Sequence, residues 1–186
     1  MRSLIDQPTT LRECRSITTA RYSHPDARIG AHLHATHPAL DQQRAWIRRQ
    51  QAAPDDYYFA SCDQASQAIV GVIGLSNISG AEGELGRYTC VNAPAHALEG
   101  SLPLQDWALN GLGLDVVYCT FTLDNRTTRL LTRIQNWAQH PALLTDLLTG
   151  DPLQRWQTDR ERFAGVLPKL RRRLAQVRAA PDEVGA

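Results

Sequence analysis

Residues 68–91, AIVGVIGLSNISGAEGELGRYTCV, decide the fold. The run 68–78 is rich in β-branched residues, which suit a pleated strand. Gly71 and Gly74 interrupt it and suggest a bend or a bulge. A glycine turn follows at 79–83, and 84–91 (ELGRYTCV) reads as the returning strand. Just upstream, 57–62 (YYFASC) is a short aromatic strand that ends in the polar turn 63–67. Residues 57–91 therefore read as an antiparallel meander.

Downstream the period changes. Residues 101–112 read as a helix with Leu104, Trp107, Ala108 and Leu112 on one side, Pro103 tolerated in its first turn, and Gly113 as its stop. The apolar run 115–122 (DVVYCTFT) predicts a strand covered on both faces. Asp124 and Asn125 can cap a helix over 126–137. Residues 142–148 fit a closing strand or a further helical turn, and 151–163 (DPLQRWQTDRERF) reads as a helix. Upstream, 11–17 reads as a first strand, and 18–40 is broken by Pro25 and Pro38. Residues 41–51 form a polar helix with Asp41 as N-cap and Ala45, Trp46 and Arg49 on one face. The organisation expected is one domain over 1–168 and a basic, poorly structured tail over 169–186.

Composition narrows the function classes. The 186 residues fit a single core, and the net charge of +1 gives no overall field that favours nucleic acid or a membrane surface. No apolar run approaches the ~18 residues of a membrane span, and Met1–Thr10 shows no secretory h-region. Cys14, Cys62, Cys90 and Cys119 are widely spaced and read as small buried or half-buried residues, as in a reducing, cytoplasmic setting.

The element order is similar to that of the GNAT acyltransferases, an α/β fold with a mixed, mostly antiparallel sheet flanked by helices. Local words are similar too. In 21–46 (RYSHPDARIGAHLHATHPALDQQRAW), Arg21, Pro25, Arg28 and Trp46 match the opening of members that acetylate ribosomal-protein N-termini or amino-sugars. Arg44 replaces a histidine of that pattern. The words VGVIGLSNI and GELGRYT resemble the nucleotide-linked amino-sugar acetyltransferases of flagellin glycosylation. DWALNGLGLDVVY followed by Asp124-Asn125 extends the likeness, which covers about residues 11–134.

The resemblance implies direct acetyl transfer from acetyl-CoA, as co-substrate, to a small amine, with a nucleotide-linked amino-sugar as the finer reading. It implies a V-shaped cleft between the strands at 84–91 and 116–122. The pantetheine would lie against main chain at Thr89, Cys90 and Val91, and Asn125 matches an asparagine that contacts CoA. Arg28, His34 and His37 would border the acceptor. Acetyl transfer needs a neutral amine, a donor for the developing oxyanion and a proton for the thiolate. Glu84 is the candidate base, acting through water, against the plain reading of a solvated surface glutamate. Tyr88 is the candidate to line the acceptor or thioester site, against that of a core or edge aromatic.

The sequence departs from the family pattern twice. The pyrophosphate loop aligns with 95–100 (AHALEG), where only Gly100, next to Ser101, keeps a glycine, while Leu98 and Glu99 add bulk and negative charge. Leu131 stands where the family places the tyrosine that protonates the thiolate, and Gln135-Asn136 replaces Gly-Phe. Arg129 could supply another phosphate grip. A catalytically silent GNAT-fold binding or regulatory protein is the alternative.

The remaining constellations carry less. His32, His34 and His37 lack a nearby Cys, Asp or Glu to complete a metal set, so no metal is expected. Between Arg155 and Arg178 eight basic residues face two acidic ones, which reads as a solvated helix face rather than a nucleic-acid site. A homodimer is compatible with the sequence.

Overall fold

The structure is a computed structural model in which residues 9–13, 39–63, 68–90 and 94–179 are described. The meander forms as its sequence dictates. β2 (Tyr57–Asp63), β3 (Ile69–Ser79) and β4 (Glu82–Cys90) are antiparallel neighbours, and β1 (Thr9–Glu13) pairs with the far edge of β2. The bulge expected at Gly71 is present: Ser61 pairs with Gly71 but Cys62 with Ile69, so β3 holds one extra residue there while running as one strand of 11 residues. At Gly71 a side chain would meet the Thr89 carbonyl at 2.6 Å, so this glycine permits close approach of backbone.

β5 (Val116–Thr122) lies beside β4 and parallel to it, while β7 (Pro152–Asp159) and β6 (Ala138–Thr145) follow antiparallel. The sheet of seven strands has the order β1-β2-β3-β4-β5-β7-β6. Four helices among the described residues are α1 (Leu40–Ala52), α2 (Pro94–Asp106), α3 (Arg126–Ile134) and α4 (Arg160–Ala179).

Several expectations are corrected. The helix at 101–112 begins about two turns earlier, with Pro94 in the first helical position that proline favours. Pro103 therefore lies inside α2 and cannot donate to the turn before it. The helix then widens into a π-turn, Trp107–Gly111, closed by Leu112 N–H donating to the Trp107 carbonyl at 2.8 Å. Gly113, at φ +82°, ends it as expected. α1 starts at Leu40, which places Asp41 inside the first turn, paired with Arg44 at 3.6 Å, rather than at the N-cap. α3 ends at Ile134, and Asn136 takes the left-handed φ of +58° that turns the chain into β6.

The C-terminal third differs most from expectation. Residues 152–159 form a strand rather than a helix, because the face of β7 that is buried carries Gln154, Trp156 and Thr158. Two of those three are polar, which hides the period-2 signal. The supposed tail from Lys169 is the second half of α4, so the boundary at 168 falls inside a helix. Phe163, Val166, Leu170 and Leu174 form its buried stripe, while Arg171, Arg172 and Arg173 face solvent.

The core lies on one face of the sheet. Ile73, Leu75, Leu85, Val117, Cys119, Phe121 and Trp156 from the strands pack against Leu98, Leu102, Leu104, Ala108 and Leu109 and against the α4 stripe. Trp107 closes it, with the rings of Tyr57 and Phe59 edge-on at 4.9 and 5.6 Å. Cys62 and Cys119 are buried and Cys90 is half-buried, in line with expectation, while Cys14 lies outside the described residues. No helix of the described residues is long and apolar enough to cross a membrane.

Candidate active site

Among the described residues β4 and β5 are the one parallel pair in the sheet, and they pair over three residues: Glu82, Gly83 and Glu84 with Val116, Val117 and Tyr118. Beyond Glu84 and Tyr118 the ladder between them ends. β4 continues on β3 as far as Cys90, and β5 continues on β7 as far as Thr122. Two parallel strands held at one end and parted at the other make a cleft whose throat is Glu84.

Two bulges shape β4 around this point. Between the pairs Ser76–Glu84 and Ser79–Glu82, β3 holds one extra residue, and Asn77 there has φ +51°. Between the pairs Gly74–Gly86 and Val72–Thr89 the extra residue is in β4, where Arg87 has φ +51°. A left-handed arginine costs roughly 1 kcal/mol or more. Its guanidinium is held by Asp56 at 2.5 Å and lies over the Trp46 ring of α1, 5.4 Å from the centroid.

Glu84 sits between the bulges on the face opposite the core. It is half-buried, and both carboxylate oxygens accept side-chain hydrogen bonds. Asn77 Nδ2 donates to Oε2 at 2.6 Å, and Thr120 Oγ1 donates to Oε1 from β5, across the parted strands. Glu84 is therefore tied to both neighbouring strands, β3 through Asn77 and β5 through Thr120. Beside it Arg155 lies over the Tyr118 ring at 4.0 Å and is held by Glu82 at 2.8 Å and Gln157 at 3.2 Å.

Tyr88 goes the other way. The bulge at Arg87 turns it onto the core face, where its hydroxyl donates to the Ala97 carbonyl of α2. Burial, with the negative groups Cys90 and Glu99 nearby, raises its pKa well above the tyrosine range. Glu84 and Tyr88 are thus not brought together.

The other residues named from the sequence fall into three groups. Thr89 and Cys90 lie on the parted stretch of β4, and burial followed by the charge of Glu99 pushes the Cys90 thiol up to about 11. At the end of β5, Asn125 caps α3 by accepting from Thr128 N–H at 3.0 Å, and Arg129 donates to the Leu123 carbonyl. Gly100 and Ser101 are buried inside α2 instead of in a loop. A side chain at Gly100 would meet Ser61 Oγ at 2.8 Å and Tyr88 Oη at 3.0 Å, so that glycine serves packing of helix on sheet. Ser101 donates to the Leu98 carbonyl at 3.0 Å and to Gln135 at 3.3 Å. Glu99, expected beside the phosphates, is 2 % exposed within α2. Val91, Arg28, His34 and His37 lie outside the described residues, as does the rest of the HLHATH segment. Among the described residues no three His, Cys, Asp or Glu side chains group as metal ligands.

Sequence reading missed Thr120, Asn77 and a buried network behind the site. Gln105 Nε2 donates to Gln135 Oε1 and to the Ser101 carbonyl, and Trp137 Nε1 donates to Gln105 Oε1 at 3.2 Å. Gln135, which departs from the family pattern, therefore ties α3 to α2.

The parted strands, with one helix following β4 and another capped at the end of β5, meet a match in sequence: the acetyltransferase (GNAT) domain matches residues 7–135, more than half of the chain. The chain belongs to the GNAT acetyltransferase family. Solved structures agree on the fold. A GCN5-related N-acetyltransferase from Brucella melitensis is 14% identical, with a TM-score of 0.68 over 96% of this chain and 85% of its own. The ribosomal-protein-S5-alanine acetyltransferase from Vibrio fischeri is 13% identical, with a TM-score of 0.68 over 82% and 93%. A spermidine N-acetyltransferase from Vibrio cholerae, in complex with CoA and spermine, is 15% identical, with a TM-score of 0.70 over 84% and 98%. At such identities the likeness concerns fold and spans several branches of the family. No curated protein matches the sequence significantly.

Proposed function

We propose that this GNAT protein transfers an acetyl group from acetyl-CoA directly to a small amine. The observation that carries the reading is the end of the β4–β5 ladder at Glu84, which opens a cleft with a carboxylate at its throat. The family fold offers a place for CoA here. Its amides would run along the parted stretch of β4 at Thr89 and Cys90. Its phosphates would meet the first turn of α2, at the open end, where helix N–H groups lack intrahelical partners. Asn125 and Arg129 flank that end from β5 and add a cation. Gly100 and Ser101 are too deep in α2 to serve as the grip.

The acceptor arrives as an ammonium ion and must lose a proton before nitrogen attacks the thioester carbon. Glu84 takes that proton through water: each carboxylate oxygen has two acceptor positions, and Asn77 and Thr120 use one on each. When the carbon–sulfur bond breaks, the thiolate takes its proton from solvent. Leu131 has none to give, and the Tyr88 hydroxyl is committed on the core face. The acceptor we favour is an amino-sugar carried on a nucleotide, supported by the likeness of 71–91 to that branch, with Arg28, His34 and His37 as its contacts.

Calorimetric titration with acetyl-CoA and CoA tests the reading. Micromolar binding is expected, followed by CoA release with an amine panel of nucleotide-linked amino-sugars, free amino-sugars and spermidine. No heat up to millimolar acetyl-CoA would favour a silent scaffold.

A further inference from the structure

We propose that Thr120 and Asn77 are positioning residues that hold the Glu84 carboxylate across the throat of the cleft. The inference rests on Glu84 as proton acceptor and adds how that group is aimed. Left to itself, a half-buried glutamate has several rotamers, and fixing one costs conformational entropy. Here each oxygen is taken from a different side: Oε2 by the β3 bulge and Oε1 by β5.

Both donors exist because of irregular backbone. Main-chain pairing between β4 and β5 ends at Glu84 and Tyr118, and Thr120 is the next β5 residue on that face. Its hydroxyl continues by side chain the link that the ladder no longer makes. Asn77 reaches Oε2 from a left-handed position, which asparagine tolerates better than other residues with side chains. Bulges of this kind re-aim side chains beside active sites. The carboxylate is therefore referenced to strands on both sides of it, and each oxygen keeps one acceptor position unused by these donors.

The experiment is steady-state CoA release, using the amine that reacts fastest in the panel above. Hydrogen bonds to a charged group contribute about 1.5–3 kcal/mol, which sets the expected loss at roughly 10- to 100-fold. Thr120→Val should lower kcat by that factor and leave KM for acetyl-CoA within about twofold, because the CoA contacts lie elsewhere. Thr120→Ser should restore most of kcat. Asn77→Gly keeps the left-handed backbone and removes the amide, so it should lower kcat about fivefold or more, and it stands in if Thr120→Val melts below the assay temperature. In a Glu84→Gln background both losses should vanish, since the donors act through that carboxylate. The proposal is overturned if kcat is unchanged in the donor variants, or if they lose as much again without Glu84. A Glu84→Gln protein with full kcat would instead remove the reading beneath it, and the proposal with it.

Discussion

Glu84 and Tyr88 are four residues apart on one strand, and a regular strand would place both on the same face. In this protein they part company. Glu84 stands on the open face at the throat of the cleft, with both oxygens hydrogen-bonded, while Tyr88 lies on the core face and straps β4 to α2. The cause is one extra residue, Arg87, whose bulge moves every later side chain of β4 to the other side. One inserted residue thus sends two side chains of a single strand to opposite faces, Glu84 to the open one and Tyr88 to the core.

The largest effect should come from the open side. Glu84→Gln keeps shape and hydrogen-bonding capacity but cannot accept the proton, so kcat should fall about 10²- to 10³-fold. Calorimetry should show acetyl-CoA binding within about twofold of the parent. A loss of CoA affinity instead would make Glu84 a strut of the cleft.

Gly100→Ala probes the core side. Its new methyl group would press on Ser61 and Tyr88 at 2.8 and 3.0 Å, and such overpacking costs about 1–3 kcal/mol. A lower Tm with CoA affinity retained is expected. An unchanged Tm with lost affinity would return Gly100 to the phosphate site.

Tyr88→Phe removes only the hydroxyl and leaves the Ala97 carbonyl without that donor, a loss of about 1 kcal/mol in stability. Urea denaturation would measure it, and kcat should stay within about twofold. A kcat loss above tenfold would put Tyr88 back in the chemistry and erase the contrast.

The smallest effect is alkaline. The Cys90 thiol is raised from 9.0 to about 11, by burial first and then by Glu99. Between these values the unfolded chain releases a proton that the folded chain keeps, so this contribution is full below pH 9 and is lost as pH rises towards 11. Cys90→Ser should flatten the fall of Tm across that window.

Much of this was legible in the residues themselves. The meander at 57–91 showed because strand runs alternate there with turn residues, and Asn125 showed as a cap because its short side chain reaches back to a helix N–H. Residues 151–163 misled, because the strand buries Gln154 and Thr158. Gln154 is satisfied by partners distant in sequence, among them the His140 carbonyl, which accepts from Gln154 Nε2 at 2.6 Å. The stretch 95–100, read as a loop, is helical instead, and its one glycine lies against Ser61 and Tyr88 where helix packs on sheet.

The sequence by itself determined the α/β class, the meander, the family and Glu84 as a candidate, since these follow from local period, turn chemistry and short words. Only the tertiary structure decided which face each side chain of β4 takes, that Thr120 and Asn77 hold Glu84, and that Tyr88, Gly100 and Ser101 belong to the core. A bulge is a matter of register between two strands, and a strand carries no mark of where its partner will gain a residue or where its ladder will end.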